Sequence, residues 1–236
     1  MVGGARRLAL DLCIVAMTIA ALALPAAPAG DDVQAQGFEV LGPLPVRAVV
    51  PVVAGDGQQS VSEPAPPPPP ALVVDHGGVQ TLYLASAGVT NAPEIERRHT
   101  EHRDGAEYFQ TPTHPAKVAW YDRFGGPGGG GTNTLFSAHV DFVGFGAGPF
   151  HGLVGSEIGA SLYVMMVDGT EFPYTVVSVE VIDLQVLDMV EVVFPILDSH
   201  TERVTLISCG GTFVPYAGGG GAYNSRVILI AERWVP

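Results

Sequence analysis

The chain is poor in cysteine and in basic residues, and both shortages restrict its function. Only two of its 236 residues are cysteine, Cys13 near the N-terminus and Cys209 near the C-terminus. Lys and Arg number 11 against 24 Asp and Glu, which gives a formal net charge of −13. So acidic a chain has no electrostatic attraction to phosphate backbones or anionic lipid headgroups. We therefore expect no nucleic-acid partner.

Apolar runs are also scarce, and the one at the N-terminus is short for a membrane span. Arg6 and Arg7 precede an apolar run of 13 residues, Leu12 to Leu24, and the small residues Pro25 to Gly30 follow it. Counted from Leu8, the stretch has 17 residues, at the lower limit of what spans a bilayer. This layout predicts that residues 1–30 are a signal peptide or an N-terminal membrane anchor. The rest of the chain is then extracytoplasmic, at the cell envelope.

Residues 31–70 have the composition of a spacer. They are rich in Ala, Gln, Gly, Pro and Ser and end in the run Pro66 to Pro70. Such a run favours an extended polyproline II conformation. We expect a disordered linker here, which leaves residues 71–236 as one folded domain.

From residue 71 onward, short apolar and β-branched runs alternate with turn residues, a pattern typical of strands. Asp168-Gly169 between two runs predicts a two-residue hairpin, and short helices are expected at His99–Tyr108 and Leu187–Glu191. Many short strands with little helical periodicity favour a mainly β fold, a closed β-barrel with short helices and long loops. The predicted strands are Leu72–Val74, Gln80–Leu84, Lys117–Trp120, Thr134–Ser137, Ser161–Val167, Glu171–Val177, Val179–Leu184, Val204–Ser208 and Arg226–Arg233.

Two glycine-rich segments invite a functional interpretation. Gly125–Gly131 resembles a phosphate cradle, but neither a Lys-Ser/Thr pair nor a helix pattern follows it. A flexible loop before the next strand accounts for it better. Gly218–Gly221 lies between Cys209 and Arg226, where we expect a mobile loop beside a working site.

Cys209 is the best candidate for a nucleophile. It ends the apolar run Val204–Ser208, so we expect its thiol at the mouth of the barrel. Gly210 and Gly211 follow, and their small size leaves the sulfur uncrowded. A buried structural cysteine is the alternative, although large apolar neighbours on both sides would suit that role better.

A thiol of ordinary pKa, about 8.5, is mostly protonated at neutral pH and needs a nearby base or cation. His139 ends another predicted strand in Ser137-Ala138-His139-Val140-Asp141. The spacing of the histidines gives no persuasive metal site, so we expect neither a metal nor another cofactor. The remaining six are expected at the surface or in loops: His76, His99, His102, His114, His151 and His200.

Arg226 opens the last predicted strand, 17 residues after Cys209. A hairpin of that length returns the chain beside its own start and so places the guanidinium next to the thiol. A permanently charged group with several donors could stabilise a carbonyl oxygen as negative charge develops on it.

The histidine at a strand end, Thr205-Leu206-Ile207-Ser208-Cys209 about 70 residues later, and an arginine in the next strand together resemble the sortase family, in particular its class E and class F enzymes. The resemblance extends over roughly residues 119–234. It includes Ala119-Trp120-Tyr121 and the segment from Asp168-Gly169 to Tyr174. It departs from the family in the strand Thr81–Ala85, which lacks an Ile-Pro type pair, and in the charged stretch Glu94–Glu107.

The resemblance implies a cysteine transpeptidase. Cys209 would cleave a sorting signal of the Leu-Pro-x-Thr-Gly kind and form a thioester, with His139 as general acid and base and Arg226 supporting the oxyanion. Ser208 and Gly210 would help to bind the substrate. The implied partners are surface proteins with a C-terminal sorting signal and an amine acceptor, either a cell-wall precursor or a pilin lysine.

Three other functions remain open from the sequence. An L,D-transpeptidase shares export, cysteine, histidine and β structure, but it places its cysteine before a hydrophobic residue and an arginine, where this chain has Gly210 and Gly211. A sortase-like site could also hydrolyse peptides without transfer. A β-barrel binding module with a structural thiol is the alternative without catalysis.

Overall fold

The computed structural model describes residues 38–41, 75–89, 92–103, 106–217 and 220–236. Within these residues the chain forms thirteen strands, the α-helix α1 (Met189–Val193) and three short 3-10 helices at Ala85–Ala87, Asp122–Phe124 and Leu153–Gly155. The strands are β1 Phe38–Leu41, β2 Val79–Tyr83, β3 Ile95–Arg97, β4 Thr100–Arg103, β5 Ala106–Phe109, β6 Val118–Trp120, β7 Asn133–Ser137, β8 Asp141–Phe142, β9 Gly146–Ala147, β10 Ser161–Met166, β11 Glu171–Asp183, β12 Thr201–Pro215 and β13 Gly221–Trp234.

Eight strands form one sheet in the order β2-β10-β11-β13-β12-β7-β6-β3. Neighbouring strands run antiparallel, except for the parallel pairs β7/β12 and β3/β6. The two edge strands meet, since the Thr81 hydroxyl in β2 donates to the Pro93 carbonyl oxygen ahead of β3 at 3.2 Å. The sheet is therefore a nearly closed barrel, which confirms the predicted mainly β, sortase-type barrel.

A hairpin joins β10 and β11 at Asp168-Gly169 as predicted, but its loop is longer than the two residues expected. The Gly169 amide donates to the Met166 carbonyl oxygen at 3.0 Å, and the Met166 amide donates to the Thr170 carbonyl oxygen at 2.8 Å, so Val167 also belongs to the turn. Gly169 has φ 86°, a left-handed conformation that glycine adopts without strain. The Asp168 carboxylate accepts a hydrogen bond from the Thr170 backbone amide at 2.9 Å and pairs with His76 at 2.8 Å. The two strands predicted at 171–177 and 179–184 are one strand, β11, whose pairing with β13 shifts between Val176 and Ser178.

Alternate residues of β12 pack into two different cores. Val204 and Leu206 lie in an inner core with residues from strands all around the barrel, such as Phe136, Phe172 and Leu229. Ile207 packs into an outer core on the opposite face of the sheet, because successive side chains point to opposite faces. The buried members of this outer core are Phe109, Ala119, Tyr121, Leu135, Met189, Val193, Ile207 and Ile228.

The charged stretch after residue 94 forms strands, and the helix predicted over His99–Tyr108 is wrong. β4 and β5 pair antiparallel, and β1 adds to the other side of β5. Glu107 and Phe109 are buried, whereas Ala106 and Tyr108 are only partly buried. This alternation has the two-residue period of a strand. Phe109 fills the outer core, and Glu107 forms an ion pair with Arg123. Burial of these two side chains favours a strand more strongly than the weak helical periodicity of the sequence favours a helix.

A short helix is confirmed near the second predicted position, as α1. Asp188 caps its N-terminus, and its carboxylate accepts from the backbone amides of Val190 at 2.9 Å and Glu191 at 3.2 Å. Capping of this kind satisfies amides that have no partner within the helix. Met189 and Val193 then cover the outer core.

A buried ionic network ties the glycine-rich loop to the barrel. Glu202 is fully buried and accepts from the Gly128 amide at 2.9 Å, from the Tyr174 hydroxyl, and from Arg233 through Nε at 3.0 Å and Nη2 at 2.6 Å. A side chain at Gly130 would meet the Ser199 carbonyl oxygen at 1.8 Å. The glycines therefore allow the loop to pack closely on the start of β12.

The N-terminal segments predicted from the sequence fall largely outside the described residues. This applies to residues 1–30 and to the strand expected at Leu72–Val74. β1 lies within residues 31–70, for which a linker is predicted, and the domain boundaries stay a prediction. In the described part of the chain, the helices are too short and too polar to cross a membrane.

Candidate active site

Cys209 and Arg226 are Cα partners on the antiparallel strands β12 and β13. Cys209 packs against the outer core, on the same face of β12 as Ile207. Arg226 is buried, and its Nη1 donates to the Ser225 carbonyl oxygen at 3.0 Å. The hairpin thus brings a guanidinium to the strand position opposite the thiol. The thiol lies on the outer face of the sheet, and β12 continues past it to Pro215, which corrects the expectation of a thiol at a strand end facing the mouth of the barrel.

His139 follows the parallel pair β7/β12 by two residues. Ser137 is the register partner of Ile207, and the Ala138 amide donates to the Ile207 carbonyl oxygen at 3.3 Å. The pairing of β7 with β12 ends there, and His139 and Cys209 each lie two residues further along the chain. Because the two strands run parallel, both residues follow the paired segment in the same direction.

The chain that follows His139 folds back and supports it. The His139 carbonyl oxygen accepts from the Phe150 amide at 3.2 Å, and the imidazole packs edge-on against Phe142 with ring centroids 5.3 Å apart. A side chain at Gly148 would meet the His139 carbonyl oxygen at 2.2 Å. Glycine at 148 is therefore required for this close return.

The glycines after Cys209 have a steric role. A Cβ at Gly210 would lie 2.5 Å from Val227 Cγ2, and Gly211 has φ 77° with the side chains of Asn224 and Ser225 too close for any Cβ. The register of β12 against β13 shifts after Gly210. Small residues here let the two strands approach closely just beyond the thiol.

Ser208 and Gly210 were predicted to bind substrate, and both are buried. The Ser208 side chain has no exposed surface, and its hydroxyl donates to the Cys209 carbonyl oxygen at 3.1 Å. Substrate binding by these two residues stays a prediction. In the structure, both residues help to hold β12 in place beside the thiol: Ser208 through its hydrogen bond, and Gly210 through its close packing on Val227.

Burial and charge act in opposite directions on the two reactive groups. Burial raises the pKa of the Cys209 thiol, the Arg226 guanidinium lowers it, and the Asp141 carboxylate raises it; the net direction is upward. Burial lowers the pKa of His139, and Asp141 acts against that decrease. At neutral pH the resting pair is therefore mainly a neutral thiol and a neutral imidazole. Such a pair needs proton transfer to generate the nucleophilic thiolate.

Asp141 and Tyr223 belong to the same neighbourhood, and the sequence did not single them out. The Tyr223 hydroxyl donates to Asp141 Oδ2 at 2.5 Å. This hydrogen bond, with burial and the nearby Asp141 and Cys209 charges, raises the pKa of Tyr223 to about 12. Asp141 stands in the motif that contains His139, but nothing in the sequence links it to a tyrosine 82 residues away.

The other histidines lie apart from this cluster. Five of the six are exposed as predicted, and the sixth, His76, is half-buried and paired with Asp168. In the described residues, no group of three or more His, Cys, Asp or Glu side chains could hold a metal ion. A cavity of about 1080 Å³ lies beyond the loop after His139, and its walls include Phe145, Gly148 and His151. Its lining residues do not include Cys209 or Arg226.

Comparison of the sequence with known families gives a clear match. The sequence model of the Sortase domain family matches residues 95–234, more than half of the chain. The chain belongs to the sortase family. Membership makes it a sortase-type cysteine transpeptidase. No curated protein sequence matches this sortase.

Several solved sortase structures are similar to this one at low sequence identity. Sortase A from Corynebacterium diphtheriae, as a lid mutant, is 17% identical with a TM-score of 0.44, and the match covers 66% of this chain and 70% of that one. A second structure of Sortase A from Corynebacterium diphtheriae, not described as a lid mutant, is also 17% identical with a TM-score of 0.44. That match covers 67% of this chain and 61% of the other chain. The SrtA sortase from Actinomyces oris is 19% identical with a TM-score of 0.46, over 67% of this chain and 79% of that one.

Proposed function

We propose that this sortase cleaves a sorting signal of the Leu-Pro-x-Thr-Gly kind through a thioester on Cys209 and transfers the acyl group to an amine. The observation that carries the proposal is the strand register: β12/β13 pairs Cys209 with Arg226, and the parallel pair β7/β12 ends two residues before both His139 and Cys209. A nucleophile, a proton carrier and a permanent cation are the groups that acyl transfer requires.

In the first half-reaction, His139 takes the proton of the Cys209 thiol, and Cys209 Sγ attacks the carbonyl carbon of the scissile peptide bond. Arg226 stabilises the negative charge that develops on the carbonyl oxygen. The carbon–nitrogen bond breaks as His139 donates a proton to the leaving amine, and the acyl group stays on sulfur as a thioester.

In the second half-reaction, the acceptor amine attacks the thioester carbon. His139 takes the proton from the attacking nitrogen, and the carbon–sulfur bond breaks to leave a thiolate on Cys209. The product is a new amide, and the free enzyme is restored when His139 returns the proton to the Cys209 thiolate. Water in place of the amine would give a carboxylic acid, so hydrolysis is an outcome that the experiment must separate from transfer.

The two cysteines offer a matched pair of variants for the test. The full chain is incubated with a Leu-Pro-x-Thr-Gly peptide and a nucleophilic amine, and mass spectrometry follows the acyl-enzyme, the amide product and the acid product. We expect Cys209→Ala to remove all three, while Cys13→Ala behaves as wild type. Equal product from Cys209→Ala and wild type would overturn the proposal. If the acid product forms and the amide product does not, the enzyme is a peptide hydrolase and not a transferase.

We also propose that residues 1–30 direct this domain out of the cytoplasm and that residues 31–70 space it from the membrane. Sortases act at the cell envelope, and the layout of the N-terminus supports the same location. The proposed partners are surface proteins with a sorting signal and an acceptor amine on a cell-wall precursor or a pilin lysine. Protease treatment of intact cells tests the location, since a domain inside the cytoplasm would stay protected.

A further inference from the structure

The hydrogen bond between Tyr223 and Asp141 joins the two parts of the chain that carry the reactive groups. Tyr223 lies on β13, three residues before Arg226, and Asp141 lies two residues after His139. The Oη to Oδ2 distance is 2.5 Å. The hydrogen bond therefore connects the β12/β13 hairpin with the segment that follows β7.

On the histidine side, Asp141 begins the small antiparallel pair β8/β9. It is the register partner of Ala147, and Phe142, the next residue, packs against the imidazole. The Val140 carbonyl oxygen accepts from the Gly148 amide at 2.9 Å and lies 3.1 Å from the His151 ring nitrogen. The backbone around His139 thus forms one small unit, and Asp141 is its contact with β13.

On the hairpin side, Tyr223 is held by neighbours that leave its hydroxyl directed toward Asp141. It is the register partner of Phe213, and the two rings are 5.3 Å apart in an edge-on contact. The adjacent Asn224 side chain accepts from the Thr212 amide at 2.8 Å. The hydrogen bond to Asp141 is the largest of the effects that raise the pKa of Tyr223.

We propose that the Tyr223–Asp141 hydrogen bond is a positioning contact that holds the His139 segment against the β12/β13 hairpin, so that the imidazole stays within reach of the amine nitrogen at Cys209. The inference rests on the proposed function and adds two residues to it. Neither residue exchanges a proton with the substrate. Both act through the placement of His139.

Because Asp141 and Tyr223 are partly exposed, a positioning role for their hydrogen bond can be distinguished from a role in folding stability. Asp141 is exposed and Tyr223 half-exposed, so loss of the bond costs little folding free energy, as solvent replaces it. Proton transfer, in contrast, depends steeply on distance, and a misplacement of about 1 Å can cost about 100-fold in rate. A positioning contact should therefore affect turnover far more than stability.

Three variants separate the contact from the charge. Tyr223→Phe removes the donor and keeps the ring against Phe213, whereas Asp141→Ala removes the acceptor. Asp141→Asn keeps an oxygen acceptor for the tyrosine and removes only the charge. Tyr216→Phe is the matched control, because Tyr216 is an exposed tyrosine on the same hairpin.

The transfer reaction of the full chain is measured for each variant at its own optimum pH, together with the thermal midpoint. We expect Tyr223→Phe and Asp141→Ala to lower kcat by about 10- to 100-fold with the peptide KM within about 2-fold of wild type. Asp141→Asn and Tyr216→Phe should keep most of the wild-type kcat. The double variant Tyr223→Phe/Asp141→Ala should be no slower than the slower single variant, because both changes break one contact.

Three results would overturn the positioning role: a wild-type kcat in Tyr223→Phe, multiplied losses in the double variant, or a fall of the thermal midpoint that accounts for the lost activity. None of these affects the proposed function, since wild-type transfer would be observed in the same experiment. An inactive wild type would instead overturn the proposed function, and the positioning role with it.

Discussion

Arg226 is the Cα partner of Cys209 in the β12/β13 hairpin, and its charge lowers the pKa of a thiol that burial raises. The guanidinium is itself buried, so bulk water screens its field less than it would at the surface. One residue therefore serves two steps of the proposed reaction. It favours the thiolate before attack and stabilises the carbonyl oxygen during attack.

The first prediction concerns this charge. Arg226→Gln should slow alkylation of Cys209 by iodoacetamide at neutral pH, because the thiol pKa rises further and the thiolate fraction falls. It should also lower kcat/KM for transfer by about 100- to 1000-fold, the loss typical when one oxyanion donor is removed. The alkylation rate is measured against pH in a Cys13→Ala background, so that a single thiol reacts. An unchanged alkylation profile would show that the guanidinium does not act on the sulfur.

The second prediction concerns the Asp141 charge. A carboxylate favours the imidazolium and disfavours the thiolate, so it raises the pKa of both His139 and Cys209. Asp141→Asn should lower both pKa values and shift the whole pH profile of kcat/KM toward lower pH. The height of the optimum should change little, because the difference between the two pKa values is nearly conserved. A profile that stays in place would argue against electrostatic contact between Asp141 and the reactive pair.

The third prediction concerns the glycine after the nucleophile. Gly210→Ala places a Cβ 2.5 Å from Val227 Cγ2, so β12 and β13 must separate beside the thiol. We expect a loss of about 1–3 kcal/mol in the free energy of unfolding and a large loss of transfer activity. Gly155→Ala is the matched control, since a Cβ there meets no atom within 4 Å and φ is not positive. Equal stability of the two variants would contradict the close approach of the strands.

The fourth prediction concerns the buried network around Glu202. Glu202→Ala leaves the Arg233 guanidinium without the carboxylate that it binds through two nitrogens, and should destabilise the fold by about 3–5 kcal/mol. The half-buried pair Arg203 and Glu232 provides the control, and Glu232→Ala should cost about 1 kcal/mol or less. Chemical denaturation measures both. Similar losses of unfolding free energy in Glu202→Ala and Glu232→Ala would show that burial does not make the Glu202 network more important for stability than a half-buried ion pair.

The sequence predicted the barrel well because most of its strands are β-branched runs separated by turn residues. Asp168-Gly169 was a reliable signal for the position of the hairpin, although Val167 also belongs to the turn and only Gly169 of the pair has a positive φ. The helix predicted at His99–Tyr108 failed because burial of Glu107 and Phe109 depends on contacts with Arg123 and the outer core.

For the site, the sequence indicated His139, Cys209 and Arg226 through their positions at the ends of predicted strands, although β12 continues past Cys209 to Pro215 and β13 begins before Arg226, at Gly221. The sequence did not indicate the face of the sheet on which Cys209 lies, because Thr205, Ile207 and Cys209 alternate with equally apolar residues. Nor did it indicate Tyr223, whose role depends on a contact between distant segments.

The parallel pairing of β7 with β12 has a consequence for how activity arises during biogenesis. The strand with the imidazole and the strand with the sulfur are neighbours in the sheet, yet about 70 residues, including all of β10 and β11, separate them along the chain. No short local fragment can assemble both groups, since parallel neighbours require a long crossover. An emerging or partly folded chain thus carries an unassisted thiol, and reactivity appears only once the long-range topology is complete.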